Sequence, residues 1–129
     1  MINVYIASKM KHAALFRALR SEWGAVGINI HARWLDQAVF EEDASPEDFH
    51  IFWLVDEHDV KDSKALVVYG ESQDELRGAL VEVGIALGAG IPVFVVGDSP
   101  SFATWVHHSH VVKARTLENA ENMIARLFR

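Results

Sequence analysis

Three short apolar runs, each without a charged residue, divide the chain and restrict its fold more than any other feature. Residues 2–7 (INVYIA), 65–69 (ALVVY) and 91–96 (IPVFVV) are rich in β-branched and aromatic side chains. Such runs are typical of strands in a parallel sheet whose two faces are both covered by helices. Two less apolar runs, residues 27–31 and 110–114, predict further strands nearer the edges of that sheet.

Helix-length segments separate these strands. Apolar residues recur at helical spacing in residues 10–23, and Thr116 caps a last amphipathic segment that runs to Phe128. Ser45 and Pro46 predict the start of another helix, which continues to about residue 60. We expect this helix to bury four apolar side chains, namely Phe49, Phe52, Trp53 and Val60. The remaining helix is rich in glycine and alanine and begins at Gly78.

The near-strict alternation of strands and helices predicts an α/β fold. The expected architecture is a flavodoxin-like doubly wound sandwich with a five-stranded, mainly parallel sheet in the order 2-1-3-4-5, formed by residues 1–129 as one domain. In such a sheet the ligand crevice lies beyond the carboxyl ends of strands one and three. Residues 7–11, residues 70–73 and the start of the Gly78 helix are therefore expected at one end of the molecule.

Composition excludes several classes of function. The net charge of −6 disfavours broad binding to a nucleic-acid polymer, and the absence of cysteine excludes disulfides and thiolate catalysis. No apolar run is long enough to span a bilayer, and the first residues lack the layout of a signal peptide. We therefore expect a cytoplasmic protein without a membrane partner.

Nucleotide and metal motifs are also missing. Gly84, Gly88 and Gly90 are in the wrong place for a dinucleotide fingerprint, so we interpret them as close helix-to-sheet packing and a helix stop. His107 and His108 belong to a histidine-rich segment that is better explained as a solvated loop than as a metal site. The sequence predicts neither a metal nor another cofactor.

Glu82 is the one acid of the Gly78 helix, and small residues surround it. Gly78 lies one turn before it and Ala86 one turn after it. The opposite face is expected to pack on the sheet through four leucine and valine side chains, at Leu76, Leu80, Val83 and Leu87. This pattern leaves two interpretations open, a reactive carboxylate that a ligand can reach and an ordinary acid at the helix surface.

Three motifs in order resemble the nucleoside 2-deoxyribosyltransferase family, which includes deoxynucleoside monophosphate N-hydrolases. They are VYIAS at residues 4–8, D-x-x-x-V-x-x-S-K-A-L-V-V at residues 56–68, and G-x-x-x-E-x-G-x-A from Gly78. The resemblance spans strands one to four and implies a flavodoxin-like fold. It also implies that Glu82 attacks the anomeric carbon of a deoxyribose, that Tyr5 orients Glu82, and that Asp56 assists proton transfer to the base. Asp59 or Asp62 takes that place if the helix is in another register.

The same resemblance, together with the crevice rule, defines the expected binding residues. Substrate is expected at the crevice, against Ala7, Ser8, Lys9, Lys11, Gly70, Glu71, Gly78 and Ala79, with Trp34 in a covering segment that extends to Phe40. The family often has an acid at the position of Leu76 and a small polar residue at that of Ala79. These departures concern recognition of the base more than the chemistry at the sugar.

The partners expected from the resemblance are a nucleoside or nucleotide and a free base. Ser8, Lys9 and Lys11 favour an alternative substrate, a deoxynucleoside 5′-monophosphate, because the hydrolase branch binds a phosphate there. A non-catalytic nucleoside-binding module is the third reading, favoured by Leu76 and Ala79. A homo-oligomer is expected, since the apolar content is high for a small domain and family sites are typically completed by a neighbouring subunit.

Overall fold

A computed structural model of the chain describes residues 1–37 and 43–129. In these residues five strands form one parallel sheet in the order β2-β1-β3-β4-β5. The strands are β1 (Ile2–Ala7), β2 (Ile28–Ile30), β3 (Ala65–Gly70), β4 (Val93–Gly97) and β5 (Val111–Ala114). The predicted flavodoxin-like α/β fold is therefore confirmed, and both weakly apolar runs lie at the edges as expected.

Four helices follow the strands in this part of the chain. They are α1 (Ala13–Ala25), α2 (Pro46–Lys61), α3 (Gly78–Gly88) and α4 (Leu117–Leu127). Two of them begin at the residues that the sequence predicted. Ser45 forms a reciprocal capping box with Asp48, and the Thr116 hydroxyl accepts a hydrogen bond from the backbone N–H of Asn119 at 3.0 Å. Both caps satisfy N–H groups that have no partner within the helix.

The core is centred on the middle strands of the sheet. Residues 65–68 of β3 and residues 4–7 of β1 are completely buried, as are Phe16 and nearly all of Trp23 from α1. Burial of one large apolar side chain contributes about 1.5–3 kcal/mol to folding. The continuous apolar runs of β1 and β3 are explained by this position, because helices cover both faces of the strands. No helix among the described residues combines the length and the apolarity that crossing a bilayer requires.

Helix α2 differs from its sequence-based description. Val60 is buried as predicted, but Phe49 is 37% exposed to solvent and Trp53 is 40% exposed. The amino-terminal half of α2 faces a cleft and the neighbouring helix α3 rather than the sheet. The prediction that all the aromatic side chains of α2 enter the core is therefore wrong.

Helix α3 packs through a wider face than predicted, since Leu80, Val83 and Leu87 contact the core as expected but further residues are buried as well. Its buried face consists of Ala79, Glu82, Val83 and Ala86, so Glu82 belongs to the buried face instead of bordering it. Leu76 is buried but lies before the first turn of the helix. Gly84 and Gly88 face open space, so they do not serve close packing on the sheet. Gly90, in a left-handed conformation with φ of 74°, ends the helix segment as predicted.

Candidate active site

A cleft of about 540 Å³ opens at the carboxyl ends of β1, β2 and β3. Parallel sheets with a reversal in strand order bind ligands at this edge. The walls come from the segments that follow these strands and from helices α2 and α3. The lining side chains are Ser8, Lys9, Met10, Trp34, Gln37, Phe49, Phe52, Trp53, Asp56, Glu75, Leu76, Arg77, Gly78, Ala79 and Glu82.

Glu82 and Tyr5 meet at the floor of the cleft. The Tyr5 hydroxyl donates a hydrogen bond to Oε2 of Glu82, and both side chains are buried, with Glu82 only 6% exposed. Burial, followed by the negative charges of Glu82 and Asp56, raises the pKa of Tyr5 well above its usual range. Tyr5 therefore remains a neutral donor at every physiological pH, and it fixes one oxygen of Glu82.

Asp56 is the second carboxyl group of the cleft. Its Oδ1 atom is buried and has no hydrogen-bond partner among the described residues, which is unusual for a buried carboxyl oxygen. Burial, with a smaller effect of the Asp59 charge, raises the pKa of Asp56 to about 6. Burial raises the pKa of Glu82 to about 8. The Tyr5 hydrogen bond opposes this shift, and the nearby Asp56 charge adds to it. Near neutral pH the two carboxyl groups therefore hold one proton between them, mainly on Glu82, whose pKa is the higher.

The other acids of α2 have different partners. Asp59 is buried in an ion pair with Arg33, whose Nη2 lies 2.8 Å from Oδ1, and Arg33 also donates its backbone N–H at 3.0 Å. Although burial alone would raise the pKa of Asp59, these hydrogen bonds hold it below its usual value. Asp62 is exposed and lies 3.1 Å from His31. Of the three candidate acids, Asp56 is the one that lines the cleft.

Trp34 follows β2 and lines the cleft. Its indole N–H donates to the carbonyl of Ile6 at 2.8 Å, and the adjacent Arg33 is held by Asp59. These contacts fix the first residues of the segment that the sequence predicted to cover the site. Residues 38–42 of that segment, including Phe40, lie outside the described residues.

The segment after β3 is held from two sides. The buried carboxylate of Asp74 forms an ion pair with Lys11 at 2.6 Å and accepts hydrogen bonds from His12 at 2.8 Å and the Glu71 backbone N–H at 2.8 Å. On the other side, the Ser99 hydroxyl donates to the carbonyl of Asp74 at 2.5 Å. Although burial alone would raise the pKa of Asp74, its polar contacts, that with Lys11 foremost, hold it well below its usual range.

Within the described residues, one group of three side chains offers metal-ligand atoms close together. The atoms of His12, Glu71 and Asp74 lie within 4.8 Å of one another. The Lys11 ammonium already lies 2.6 Å from Asp74, and the Tyr69 hydroxyl donates to Glu71 at 2.6 Å. Because the Lys11 ammonium and the Tyr69 hydroxyl already bind these carboxylates, we interpret the group as a support for the loop before α3.

The structure gathers most of the predicted site residues around the cleft. Of the twelve residues that the sequence singled out, seven line the cleft: Ser8, Lys9, Trp34, Asp56, Gly78, Ala79 and Glu82. An eighth, Tyr5, contacts the lining residue Glu82 through a hydrogen bond. Ala7 is completely buried within β1, and Gly70 is buried against Ser99. Lys11 is paired with Asp74, and Glu71 with Tyr69. These last four residues do not line the cleft, so the crevice rule predicted its position but not all of its walls.

Several lining residues were not predicted as site residues. Phe49, Phe52 and Trp53 were assigned to the core, although their spacing from Asp56 places all four side chains on one side of α2. That spacing is the signal by which they could have been found. Gln37 and Met10 were not named as site residues, although both lie within segments that the sequence predicted to be near the crevice.

Comparisons with known proteins identify the fold. A 2-deoxyribosyltransferase from Bacillus psychrosaccharolyticus superposes with a TM-score of 0.71 and 16% identity, over 93% of this chain and 90% of that one. The chain has the fold of a nucleoside 2-deoxyribosyltransferase. A CMP N-glycosidase from Clostridium botulinum gives a TM-score of 0.59 and 13% identity, over 98% and 99% of the two chains. No protein-family model and no curated protein matches the sequence.

The fold does not select the chemistry. A 3-dehydroquinate dehydratase-like protein from Bifidobacterium longum also superposes, with a TM-score of 0.54 and 15% identity, over 100% of this chain and 99% of that one. Proteins whose names indicate unrelated reactions therefore share this arrangement of strands and helices. The chemistry therefore depends on the side chains in the cleft.

Proposed function

We propose that this protein cleaves the N-glycosidic bond of 2′-deoxyribonucleosides through Glu82 and transfers the deoxyribosyl group to a second base or to water. The observation that carries the proposal is the hydrogen bond from Tyr5 to Glu82, in the same cleft as Asp56, whose buried Oδ1 has no partner within residues 1–37 and 43–129. The fold shared with a deoxyribosyltransferase and a CMP N-glycosidase supports it. The motifs that carry Tyr5, Asp56 and Glu82 resemble those of the family and follow one another in the same order.

In the first step the ionised Glu82 attacks the anomeric carbon while the bond from that carbon to the base nitrogen breaks. Protonated Asp56 gives its proton to the departing nitrogen, so the base leaves as a neutral molecule. The electron pair of Glu82 forms a glycosyl ester, which is the usual way to trap an oxocarbenium-like state with a nearby carboxylate. Tyr5 holds the other oxygen of Glu82 throughout.

The second step reverses the first with a different acceptor. Ionised Asp56 takes a proton from the N–H of an incoming base or from water, and that nucleophile attacks the anomeric carbon. The ester bond breaks and Glu82 is released as a carboxylate. A base as acceptor gives transfer, and water gives hydrolysis; the same residues serve both outcomes.

The shared proton of the two carboxyl groups suits this cycle. Attack requires an ionised Glu82 and a protonated Asp56, which together hold one proton. The pKa values of about 8 and about 6 mean that the pair holds one proton over the neutral range, mainly on Glu82, so the reactive form with the proton on Asp56 is the minor one. The Tyr5 hydrogen bond favours the ionised form of Glu82, and thereby favours the proton on Asp56.

A deoxynucleoside 5′-monophosphate is the alternative substrate, and cationic side chains at the cleft favour it. Lys9 and Arg77 both line the cleft, and Arg77 is largely exposed. Lys9 donates to the carbonyl of Glu75 at 3.1 Å, which leaves two of its N–H groups for a phosphate. The Ser8 hydroxyl donates to the carbonyl of Tyr69 at 2.8 Å and can still accept a hydrogen bond.

The test is a base-exchange assay followed by chromatography. The protein is incubated with 2′-deoxynucleosides or their 5′-monophosphates, with and without a second free base. We expect base release or exchange from unphosphorylated substrates that disappears in Glu82→Ala and persists in Glu57→Gln, which alters an exposed acid of α2. Activity that survives Glu82→Ala would refute the proposal. A preference for monophosphates favours the hydrolase alternative, and tight binding without any product indicates a non-catalytic module.

A further inference from the structure

A buried ion pair joins two sides of the cleft that are distant in sequence. One side is helix α2, which carries Asp56. The other begins with a short 3-10 helix, Arg33–Asp36, which follows β2 and carries Trp34. Asp59, one turn after Asp56 on α2, is completely buried and binds Arg33. A single carboxylate therefore connects the helix of the proton donor with the segment that carries Trp34.

The contact between Asp59 and Arg33 is forked. The Arg33 guanidinium donates to Oδ1 from Nη2 at 2.8 Å and from Nε at 3.1 Å, and the Arg33 backbone N–H donates to Oδ2 at 3.0 Å. Such a contact fixes orientation as well as distance. The rest of the 3-10 helix is bound to β1 and α1, through Trp34 to Ile6, the Leu35 carbonyl to Arg17, and Asp36 to Arg20. Asp59 thus attaches α2 to a segment that the sheet and α1 already hold.

Asp59 also acts on Asp56 through its charge. Burial, followed by the Asp59 charge, raises the pKa of Asp56 to about 6, and the Arg33 charge opposes this effect. Although burial alone would raise the pKa of Asp59, its hydrogen bonds with Arg33 hold that pKa below its usual value, so Asp59 stays ionised. Further titratable side chains face the two acids: Tyr5 on β1 and Glu82 on α3 near Asp56, and His31 after β2 with His58 and Asp62 on α2 near Asp59.

We propose that Asp59 is a positioning residue for the reaction, which holds α2 against the Trp34 segment through Arg33 and whose negative charge favours the proton on Asp56. The inference rests on the proposed function, in which protonated Asp56 gives its proton to the departing base. The reactive form carries this proton on Asp56 and a negative charge on Glu82, so a charge that favours it raises the rate. Asp59 does not line the cleft and acts through Asp56 and Arg33.

Asp59→Asn removes the charge with little change in shape. The pKa of Asp56 should fall, because the Asp59 charge is lost and the Arg33 charge has no counter-ion. The acid limb of the kcat/KM profile, expected near pH 6, should therefore move to lower pH. For each unit of this movement kcat/KM at neutral pH should fall about tenfold, since less of the protein holds its proton on Asp56.

The shape of the profile separates this effect from a structural one. Below the acid limb of both proteins Asp56 is protonated in each, and attack is limited by the ionisation of Glu82. Wild type and Asp59→Asn should therefore have the same kcat/KM there and differ only at higher pH. A loss of structure would instead lower kcat/KM by a similar factor throughout.

Two further variants complete the comparison. Glu57→Gln removes an exposed acid beside Asp56 that is paired with Lys61, and the acid limb should stay near pH 6. The double variant Arg33→Gln/Asp59→Asn removes both charges of the ion pair, so its limb should lie between those of the wild type and Asp59→Asn. It also avoids an unpaired buried charge, and it decides the question if Asp59→Asn does not fold.

Carboxyl ¹³C NMR follows the titration of Asp56 without substrate, and the signal is assigned by its absence from Asp56→Asn. An Asp56 titration that does not move in Asp59→Asn would overturn the inference, and so would a double variant that titrates no lower than the wild type. If the titration moves and no nucleoside is turned over, the proposed function fails and the effect of Asp59 on Asp56 stands. If turnover requires Glu82 and the Asp56 titration does not depend on Asp59, the reverse is true.

Discussion

The hydroxyl of Tyr5, on the central strand β1, donates a hydrogen bond to the carboxylate of Glu82, on helix α3, across a sequence separation of 77 residues. Both groups are buried, so each has exchanged water for the other. A tyrosine with a raised pKa cannot give up its proton to Glu82, and it acts as a fixed donor. This relationship selects which oxygen of Glu82 is free to react.

Tyr5→Phe tests the role of that donor. A hydrogen bond to a charged group contributes about 1.5–3 kcal/mol, so we expect kcat to fall roughly 10- to 100-fold while KM changes little. Because the Tyr5 hydrogen bond lowers the pKa of Glu82, its removal should also move the alkaline limb of the pH–rate profile upward. Tyr69→Phe is the matched control, since the Tyr69 hydroxyl binds Glu71 outside the cleft. An unaltered profile in Tyr5→Phe would contradict the assignment.

The pH dependence of kcat/KM should be bell-shaped, with limbs near pH 6 and pH 8, because the pKa values of Asp56 and Glu82 are raised to about these values. Below the lower limb both carboxyl groups are protonated and Glu82 cannot attack. Above the upper limb both are ionised and no proton is available for the base.

Asp56→Asn should remove the alkaline limb of this profile and lower the rate by about 10²- to 10⁴-fold, the usual effect of losing a general acid. The limb that remains is the ionisation of Glu82, and it should lie below pH 8, because the Asp56 charge no longer raises the pKa of Glu82. Asp62→Asn, at an exposed acid near the end of the same helix, provides the comparison. A bell-shaped pH–rate profile that persists in Asp56→Asn would show that another residue is the proton donor.

Glu82→Gln should increase stability at alkaline pH while it abolishes activity. The folded protein holds the Glu82 proton up to about pH 8, whereas the unfolded chain releases it near the ordinary value of 4.5. Between these values the folded state binds more protons, so stability falls as pH rises. Each unit of pKa shift corresponds to about 1.4 kcal/mol, so the variant should gain a few kcal/mol above pH 8.

Urea unfolding between pH 5 and pH 9 measures this gain. The free energy of unfolding of the wild type should decline with pH more steeply than that of Glu82→Gln, and Glu57→Gln should follow the wild type. If the free energy of unfolding depends on pH in the same way for the wild type and Glu82→Gln, Glu82 is ionised in the folded protein at neutral pH. That result would contradict the raised pKa of Glu82.

Asp74→Asn tests the support of the loop before α3. The substitution weakens the contacts of a buried carboxylate with Lys11 and His12, and we expect a loss of about 1–3 kcal/mol in the free energy of unfolding. Because Asp74 positions the start of α3, kcat should fall as well. Asp98→Asn, at an exposed acid near the same edge of the sheet, serves as control. Equal free energies of unfolding for the two variants would contradict the supporting role of Asp74.

The expected homo-oligomer stays a prediction. Ile51 and Leu54 on α2 and Val81 on α3 are more than half exposed, a larger apolar area on two adjacent helices than scattered single residues would give. Light scattering at working concentration should give a mass that is a multiple of 14.4 kDa. A value equal to one chain would contradict it.

The sequence by itself determined the sheet and the position of the cleft. Uncharged apolar runs and capped helices are local signals, and the order of strands and helices leaves few ways to wind a parallel sheet. For the same reason Glu82 could be singled out, since its surroundings on α3 are set by residues within two turns.

Only the tertiary structure decided which side chains meet in the cleft. Whether Asp56, Asp59 or Asp62 faces it depends on the rotation of α2 about its own axis, which packing against α3 and the pairing of Asp59 with Arg33 determine. That rotation also brings Phe49 and Trp53 out of the core. Lys11 is held by Asp74 and kept from the cleft by a contact across 63 residues. Periodicity within a segment records which residues share a face, but the direction of that face is set by distant partners.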